Sequence, residues 1–159
     1  MKTENKHSHI LTFTRVFAAP RDLVFQAWTT AEMVKNWWGC GQFPACDAEM
    51  DARPGGLWRS CLRADNGDEI QLAGRFIEVV RPERLVFTFV RAAAPQIGVE
   101  PVDTQVTVTF TEQAGKTLMQ FRQEVFTTTA LRDNHQDGWM TSFGRLDDIL
   151  AALETTQTR

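Results

Sequence analysis

The chain has 159 residues, a mass of 18.0 kDa and a formal charge of −3, with 43% hydrophobic and 23% charged residues. This length supports one hydrophobic core, the slight acidic excess provides no basic surface for nucleic acid, and no apolar run approaches the roughly 18 residues of a membrane span. Length and composition therefore predict one soluble domain over residues 1–159, with an ordered core at about residues 9–155, and the order of strands and helices described below makes it an α+β domain.

Cysteine and histidine usage argues against a metal or redox site. Residues 1–8 are polar and lack the apolar stretch of an export signal, so a cytoplasmic protein is expected. Cys40, Cys46 and Cys61 form no compact framework, which is typical of reduced thiols, and no histidine is spaced with them as a zinc ligand. Because no nucleophile or phosphate-binding motif occurs either, the sequence predicts no metal, no cofactor and no catalytic constellation.

The first predicted element is a strand over residues 9–17. Leu11, Phe13 and Phe17 alternate with polar side chains, the period of two that a half-buried strand shows. Arg15 falls on the apolar side of this strand.

Two short helices are predicted next. Pro20 can begin a helix over residues 20–28, since its missing N–H would be unpaired there in any case. Thr29 and Glu32 form a capping-box pattern, which predicts that a second helix begins immediately and ends at Gly39.

Turn signals divide the middle of the chain into strands. Pro54-Gly55-Gly56 and Asn66-Gly67 predict tight turns, and Pro82 interrupts a further pair of strands. Residues 92–102 contain two prolines and a glycine, which favours a long loop. In total the sequence predicts seven strands, at residues 9–17, 45–50, 57–63, 69–80, 85–91, 105–110 and 118–125.

The C-terminal segment has a helical period, which predicts a helix over residues 129–152, on the order of 35 Å long. Gly138 and Ser142 lie on its apolar stripe. Their small side chains either leave a groove walled by Trp139 and Phe143, or let the helix pack closely on the sheet. The sequence leaves both interpretations open.

Several motifs occur in the order found in one known family. They are Phe17-Ala18-Ala19-Pro20, Val24-Phe25-Gln26-Ala27-Trp28-Thr29, Trp37-Trp38-Gly39, Arg53-Pro54-Gly55-Gly56-Leu57-Trp58-Arg59, Arg81-Pro82-Glu83-Arg84-Leu85-Val86-Phe87-Thr88 and His135-Gln136-Asp137-Gly138-Trp139. With these motifs the chain resembles the activator-of-heat-shock-ATPase homologue family of the START-like, or SRPBCC, superfamily, from about residue 10 to residue 153.

The resemblance implies a helix-grip fold, in which a curved antiparallel sheet, here of seven strands, wraps around the long C-terminal helix and leaves a cavity. Such cavities often hold lipids, polyketides or other hydrophobic molecules, and many single-domain bacterial members have no established role. The resemblance thus implies binding of an unidentified hydrophobic or amphipathic small molecule. The eukaryotic co-chaperones carry an additional N-terminal domain for which this chain has no room, which argues against a heat-shock ATPase as partner.

Nine side chains are candidates for the lining of that cavity, although core packing is the favoured interpretation for any single aromatic residue. Arg15 and Glu78 both alternate with apolar residues and are predicted to form an ion pair that closes one end of the cavity; alternatively, Arg15 receives an anionic group of the ligand. His135 is either a ligand contact, a general base or a histidine satisfied by the core. The candidates are Phe13, Arg15, Trp38, Trp58, Phe76, Glu78, His135, Trp139 and Phe143.

Three functions stay open on the sequence. No residues are spaced as in a known catalytic motif. This favours binding of a hydrophobic small molecule over catalysis by a polyketide cyclase or hydrolase that uses His135, Arg15 or Glu78. A co-chaperone-like interaction module is the third. No nucleic-acid partner and no membrane insertion are expected, and a homodimer through an edge strand or residues 92–102 is left open.

Overall fold

The computed structural model describes residues 9–157, and its main feature is an antiparallel sheet that curls around a long C-terminal helix. Residues 1–8, on which the expectation of a cytoplasmic protein rests, lie outside the described part. The elements in chain order are β1 (Leu11–Phe17), α1 (Arg21–Thr29), α2 (Ala31–Trp37), β2 (Gly39–Cys40), β3 (Phe43–Met50), β4 (Leu57–Arg63), β5 (Glu69–Val80), β6 (Arg84–Arg91), β7 (Val102–Gln113), β8 (Lys116–Glu124) and α3 (Thr129–Gln157).

The strands form one sheet in the order β1-β8-β7-β6-β5-β4-β3-β2, with every neighbouring pair antiparallel. The helix-grip fold predicted from the sequence is therefore confirmed, with eight strands in place of seven. The additional strand, β2, has two residues and is too short to show a period in the sequence. Within the predicted loop, Pro95–Ile97 forms one 3-10 turn.

The core lies between the concave face of the sheet and the helices. On β7, for example, Val106, Val108 and Phe110 point inward and are buried, as their alternation predicts. α3 contributes Trp139, Phe143 and further buried residues at helical spacing, so the predicted stripe is confirmed. None of the helices in residues 9–157 is long and apolar enough to cross a membrane.

The boundary between α1 and α2 differs from the capping-box prediction. Thr29 is the last residue of α1, and its hydroxyl donates to the carbonyl of Phe25 at 3.0 Å. α2 begins at Ala31 after Thr30, which makes no side-chain capping bond. The predicted capping box is wrong because the threonine hydroxyl bonds back along its own helix, an alternative always open to this side chain.

A β-bulge on β5 corrects the prediction for Glu78. Phe76 pairs with Phe87 and Glu78 with Val86, so Ile77 is an extra residue in the ladder. One extra residue moves every later side chain to the opposite face. Glu78 therefore faces away from the core and forms a salt bridge with Arg84 at 3.1 Å.

Arg15 does lie on the concave side, opposite the buried Met119, but its partner differs from the predicted one. Its Nη2 donates to Oδ2 of Asp147 on α3. The predicted Arg15–Glu78 ion pair is wrong, because each of the two residues has a different partner.

Candidate functional site

A pocket lies between α3 and strands β2, β4, β5 and β6. Its volume is about 60 Å³. A cavity of this size has room for a few water molecules. The pocket is lined by Trp38, Gly39, Cys40, Leu62, Ile70, Leu72, Phe89, Arg91, Asn134, His135, Gly138, Trp139 and Ser142.

Aromatic rings form one wall of the pocket. The ring of Trp38 packs edge-on against Trp139 at 5.7 Å between centroids and against Trp58 at 5.1 Å. Phe89 lies 5.7 Å from Trp139. Leu62, Ile70 and Leu72 complete an apolar surface from the sheet, so the pocket favours the hydrocarbon part of a ligand.

Small residues bring α3 close to β2 at the edge of this pocket. The Ser142 hydroxyl accepts the N–H of Gly39 at 3.1 Å and donates to the Gly39 carbonyl at 2.6 Å. A Cβ atom on Gly138 would lie 3.0 Å from the Cβ of Cys40. Gly138 and Ser142 therefore permit close packing, and both also line the pocket.

A buried polar chain fixes Trp139. Its indole Nε1 donates to Oε1 of Gln123 at 2.8 Å, and Nε2 of Gln123 donates to Thr104 Oγ1 at 2.9 Å. The Thr104 hydroxyl in turn donates to the Phe89 carbonyl at 2.9 Å. Sequence analysis missed Gln123 and Thr104, although both lie at the alternating positions of their strands that face the core.

His135 is buried at the pocket wall and is neutral at pH 7. Burial lowers the pKa of its imidazole to about 4, and the nearby Arg91 acts in the same direction. Because the Leu131 carbonyl, 2.9 Å from Nδ1, can only accept, Nδ1 carries the proton. Nε2 is then an acceptor that receives no hydrogen bond from the other described residues. Because its pKa is low, His135 is a poor general base near neutral pH.

Two arginines lie near Cys40. Arg91 lines the pocket, and Arg145 lies beside Gly39 and Cys40, where its Nη1 is buried without a hydrogen-bond partner among the described residues. Burial raises the pKa of the Cys40 thiol, while both arginines act to lower it. Sequence analysis missed Arg91, Arg145 and Cys40 as site residues.

The predicted site residues are only partly brought together. Trp38, His135 and Trp139 line the pocket, whereas the other predicted aromatic residues lie outside its lining. Those four rings pack against one another or against neighbours: Phe13 with Phe143 at 5.2 Å, Trp58 with Trp38, Phe76 with Phe87 at 5.9 Å, and Phe143 with Trp139 at 5.5 Å.

Arg15 and Glu78 also lie outside the lining, held by Asp147 and Arg84. In the part of the chain that the structure covers, no cluster of His, Cys, Asp or Glu is arranged to hold a metal ion.

The family model described as "Activator of Hsp90 ATPase homolog 1-like protein" matches residues 18–151, most of the chain. The chain belongs to this AHSA1 family. The match includes every strand from β2 onward and most of α3, so the pocket lies within the family domain. No curated protein is significantly similar to the chain.

Solved structures of other proteins share this AHSA1 fold. A Chromobacterium violaceum protein has a TM-score of 0.80 at 24% identity, covering 89% of this chain and 96% of its own. A Rhodobacter sphaeroides protein has a TM-score of 0.77 at 24% identity, covering 92% and 95%. The AHSA1 protein of Silicibacter pomeroyi has a TM-score of 0.77 at 19% identity, covering 90% and 98%. At these identities the likeness concerns the fold.

Proposed function

We propose that this AHSA1-family chain binds a small hydrophobic or amphipathic molecule in the pocket between α3 and the sheet. The observation that carries the proposal is the composition of the lining: an aromatic and aliphatic wall faces a few polar groups, among them Arg91 and the Nε2 acceptor of His135. Ligand sites are typically apolar surfaces with few convergent polar groups.

The size of the pocket restricts how a ligand enters. Its volume of about 60 Å³ is below the roughly 300 Å³ of a usual small-molecule site. A second cavity, of about 360 Å³, lies on the other side of Arg91 between β6, β7 and the segment that precedes α3. A ligand larger than a few heavy atoms therefore extends past Arg91 toward this cavity or displaces part of the aromatic wall.

The positions of the titratable groups favour ligand binding over catalysis. Of the three residues considered for acid–base chemistry, only His135 lines the pocket, and its lowered pKa of about 4 leaves it neutral. Arg15 and Glu78 are occupied elsewhere by salt bridges. A cyclase or hydrolase that uses His135, Arg15 or Glu78 for acid–base chemistry in this pocket is therefore not favoured.

The family description names activation of the Hsp90 ATPase, so contact with a heat-shock ATPase is the alternative. This alternative predicts that the purified protein captures such an ATPase and that changes in the pocket do not affect the capture. The ligand proposal predicts that a small molecule binds and that changes in the pocket abolish its binding. One set of pocket variants therefore distinguishes the two.

The test is native mass spectrometry of the purified protein beside a denatured control, followed by a thermal-shift screen with apolar compounds. Gly138→Leu fills the pocket from α3 and Leu72→Phe fills it from β5. Gly144→Leu is the matched control, because nothing lies within 4 Å of its Cβ position. We expect a ligand mass or a thermal shift in the wild type and in Gly144→Leu, and its loss in both pocket variants.

Two outcomes would contradict the proposal. The first is a ligand signal that survives both Gly138→Leu and Leu72→Phe in folded protein, which would place binding elsewhere. The second is the absence of any co-purified mass and of any thermal shift, together with capture of a heat-shock ATPase by the wild type and by both pocket variants.

A further inference from the structure

We propose that the ligand is an organic acid whose carboxylate is bound by Arg91 while its apolar part lies against Trp38 and Trp139. This inference rests on the proposed function and names the chemical class of the ligand. A charged group at the end of an apolar pocket selects an amphipathic molecule with the opposite charge.

Arg91 holds its position because of the sheet. It is the last residue of β6 and pairs with Leu72 on one side and Val102 on the other, both buried. Its side chain therefore extends from the concave face, where it lines both the pocket and the second cavity. A group bound to Arg91 can have its apolar part in either space.

The guanidinium of Arg91 is only partly used within the protein. Nε and Nη2 both donate to one oxygen, the Glu100 carbonyl, at 3.0 and 2.8 Å, and Nη1 donates to Oδ1 of Asn134 at 3.3 Å. A guanidinium has five N–H donors, so one N–H on each terminal nitrogen has no acceptor among the described residues. These two donors suit a carboxylate.

The charge of Arg91 is also unbalanced. Among residues 9–153, no carboxylate oxygen lies within salt-bridge distance of it, whereas Arg15, on the concave face of β1, is paired with Asp147. Burial lowers the pKa of Arg91, and the neighbouring Glu100 carboxylate and Cys40 thiol act in the opposite direction without offsetting it.

The surroundings of Arg91 add to the attraction for an anion. The lining of the first pocket contains no aspartate or glutamate, whereas the second cavity includes Asp103, and Arg145 lies near Cys40 as a second cation. The Nε1 donor of Trp38 is buried without an acceptor among the described residues, a further unmet donor at the pocket wall. An inorganic anion would satisfy the charge alone, whereas the aromatic wall requires a hydrocarbon part as well.

The experiment compares acids with neutral alcohols of the same shape. Octanoate with octanol, and benzoate with benzyl alcohol, are titrated into the full chain at pH 7, and dissociation constants are taken from the indole N–H signals of Trp38 and Trp139 in proton–nitrogen correlation NMR. Arg91→Gln removes the charge, Arg91→Lys keeps it, and Arg84→Gln, a surface arginine paired with Glu78, is the control. Thermal unfolding verifies that each variant is folded.

We expect at least one acid to bind about tenfold more tightly than its alcohol, as a charged hydrogen bond in a partly buried site gives. Arg91→Gln should abolish that preference, Arg91→Lys should retain part of it, and Arg84→Gln should leave it unchanged. Equal binding of acid and alcohol, or a preference that survives Arg91→Gln, would overturn the inference while leaving the pocket proposal intact. If neither class perturbs the two indole signals, this inference fails, while the pocket proposal is decided separately by the native mass spectrometry and the thermal-shift screen.

Discussion

The side-chain amide of Gln123 accepts a hydrogen bond from the indole Nε1 of Trp139 at 2.8 Å, so a fully buried polar residue of β8 holds the central ring of the pocket wall. The amide's own N–H₂ group donates to Thr104, which donates to the Phe89 carbonyl. These hydrogen bonds connect α3 to three strands, and each side chain in the series has a hydrogen-bond partner. Buried networks of this kind fix one geometry because any other leaves polar groups without partners.

Gln123→Leu should therefore destabilise the protein far more than its change in size suggests. The variant leaves the Trp139 N–H buried without an acceptor and removes the donor to Thr104. We expect a loss of about 2 kcal/mol or more in the free energy of unfolding, measured by urea denaturation.

Gln120→Leu is the control on the same strand, because Gln120 is exposed. Its effect should stay within about 0.5 kcal/mol. If both variants had the same small effect, the Gln123–Trp139 bond would contribute nothing to stability.

Most of the fold could be predicted from the sequence because its signals are local. Alternation gave the strands, and the helical stripe gave α3 with Trp139 and Phe143 facing the core. What failed needed information from another strand: the bulge at Ile77, which reverses the side of Glu78, depends on how β5 pairs with β6. The partner of Arg15, Asp147, lies 132 positions away.

The site was less predictable than the fold for a related reason. Trp38, His135 and Trp139 were found because large aromatic residues and a helical stripe stand out in a sequence. Arg91 also follows an inward alternation, after Phe87 and Phe89, but its sequence position at the end of a predicted strand, before a loop, does not indicate a pocket. Only the pairing of Arg91 with Leu72 and Val102 shows that its charge lies at the pocket.

The salt bridge between Arg15 and Asp147 should give a small, salt-sensitive coupling. In a double-mutant cycle with Arg15→Gln and Asp147→Asn, we expect about 0.5 kcal/mol of coupling in urea unfolding, because both side chains are partly exposed and screened by solvent. The coupling should decrease as salt is added. The parallel cycle of Arg15→Gln with Glu78→Gln should be additive; coupling in that cycle and none in the first would contradict the observed partners.

The two glycines within α3 should respond differently to alanine. Gly144→Ala should stabilise the protein by about 1 kcal/mol in thermal or urea unfolding, since its Cβ would meet open space and alanine has the higher helix propensity. Gly138→Ala should gain clearly less, because its Cβ would lie 3.0 Å from the Cβ of Cys40. An equal gain at both positions would mean that β2 moves away from α3 at little cost.

His135 should make the stability of the protein depend on pH in the acidic range. Its pKa is lowered to about 4 in the folded protein, mainly by burial, from the ordinary value of 6.5. Between these values the unfolded chain binds more protons than the folded one, so the free energy of unfolding falls as the pH falls from 6.5 toward 4. The difference between the two pKa values corresponds to about 3 kcal/mol in the free energy of unfolding. This contribution is fully present above pH 6.5.

Urea unfolding of the wild type and of His135→Gln between pH 4 and pH 7 isolates this contribution from that of the carboxylates, which both proteins share. The difference between the two free energies should be greatest at neutral pH and should shrink on acidification, because only the wild type must take up a proton at this site on unfolding. A difference that stays constant over the range would mean that His135 titrates alike in both states, and the imidazole would then be accessible to water in the folded protein.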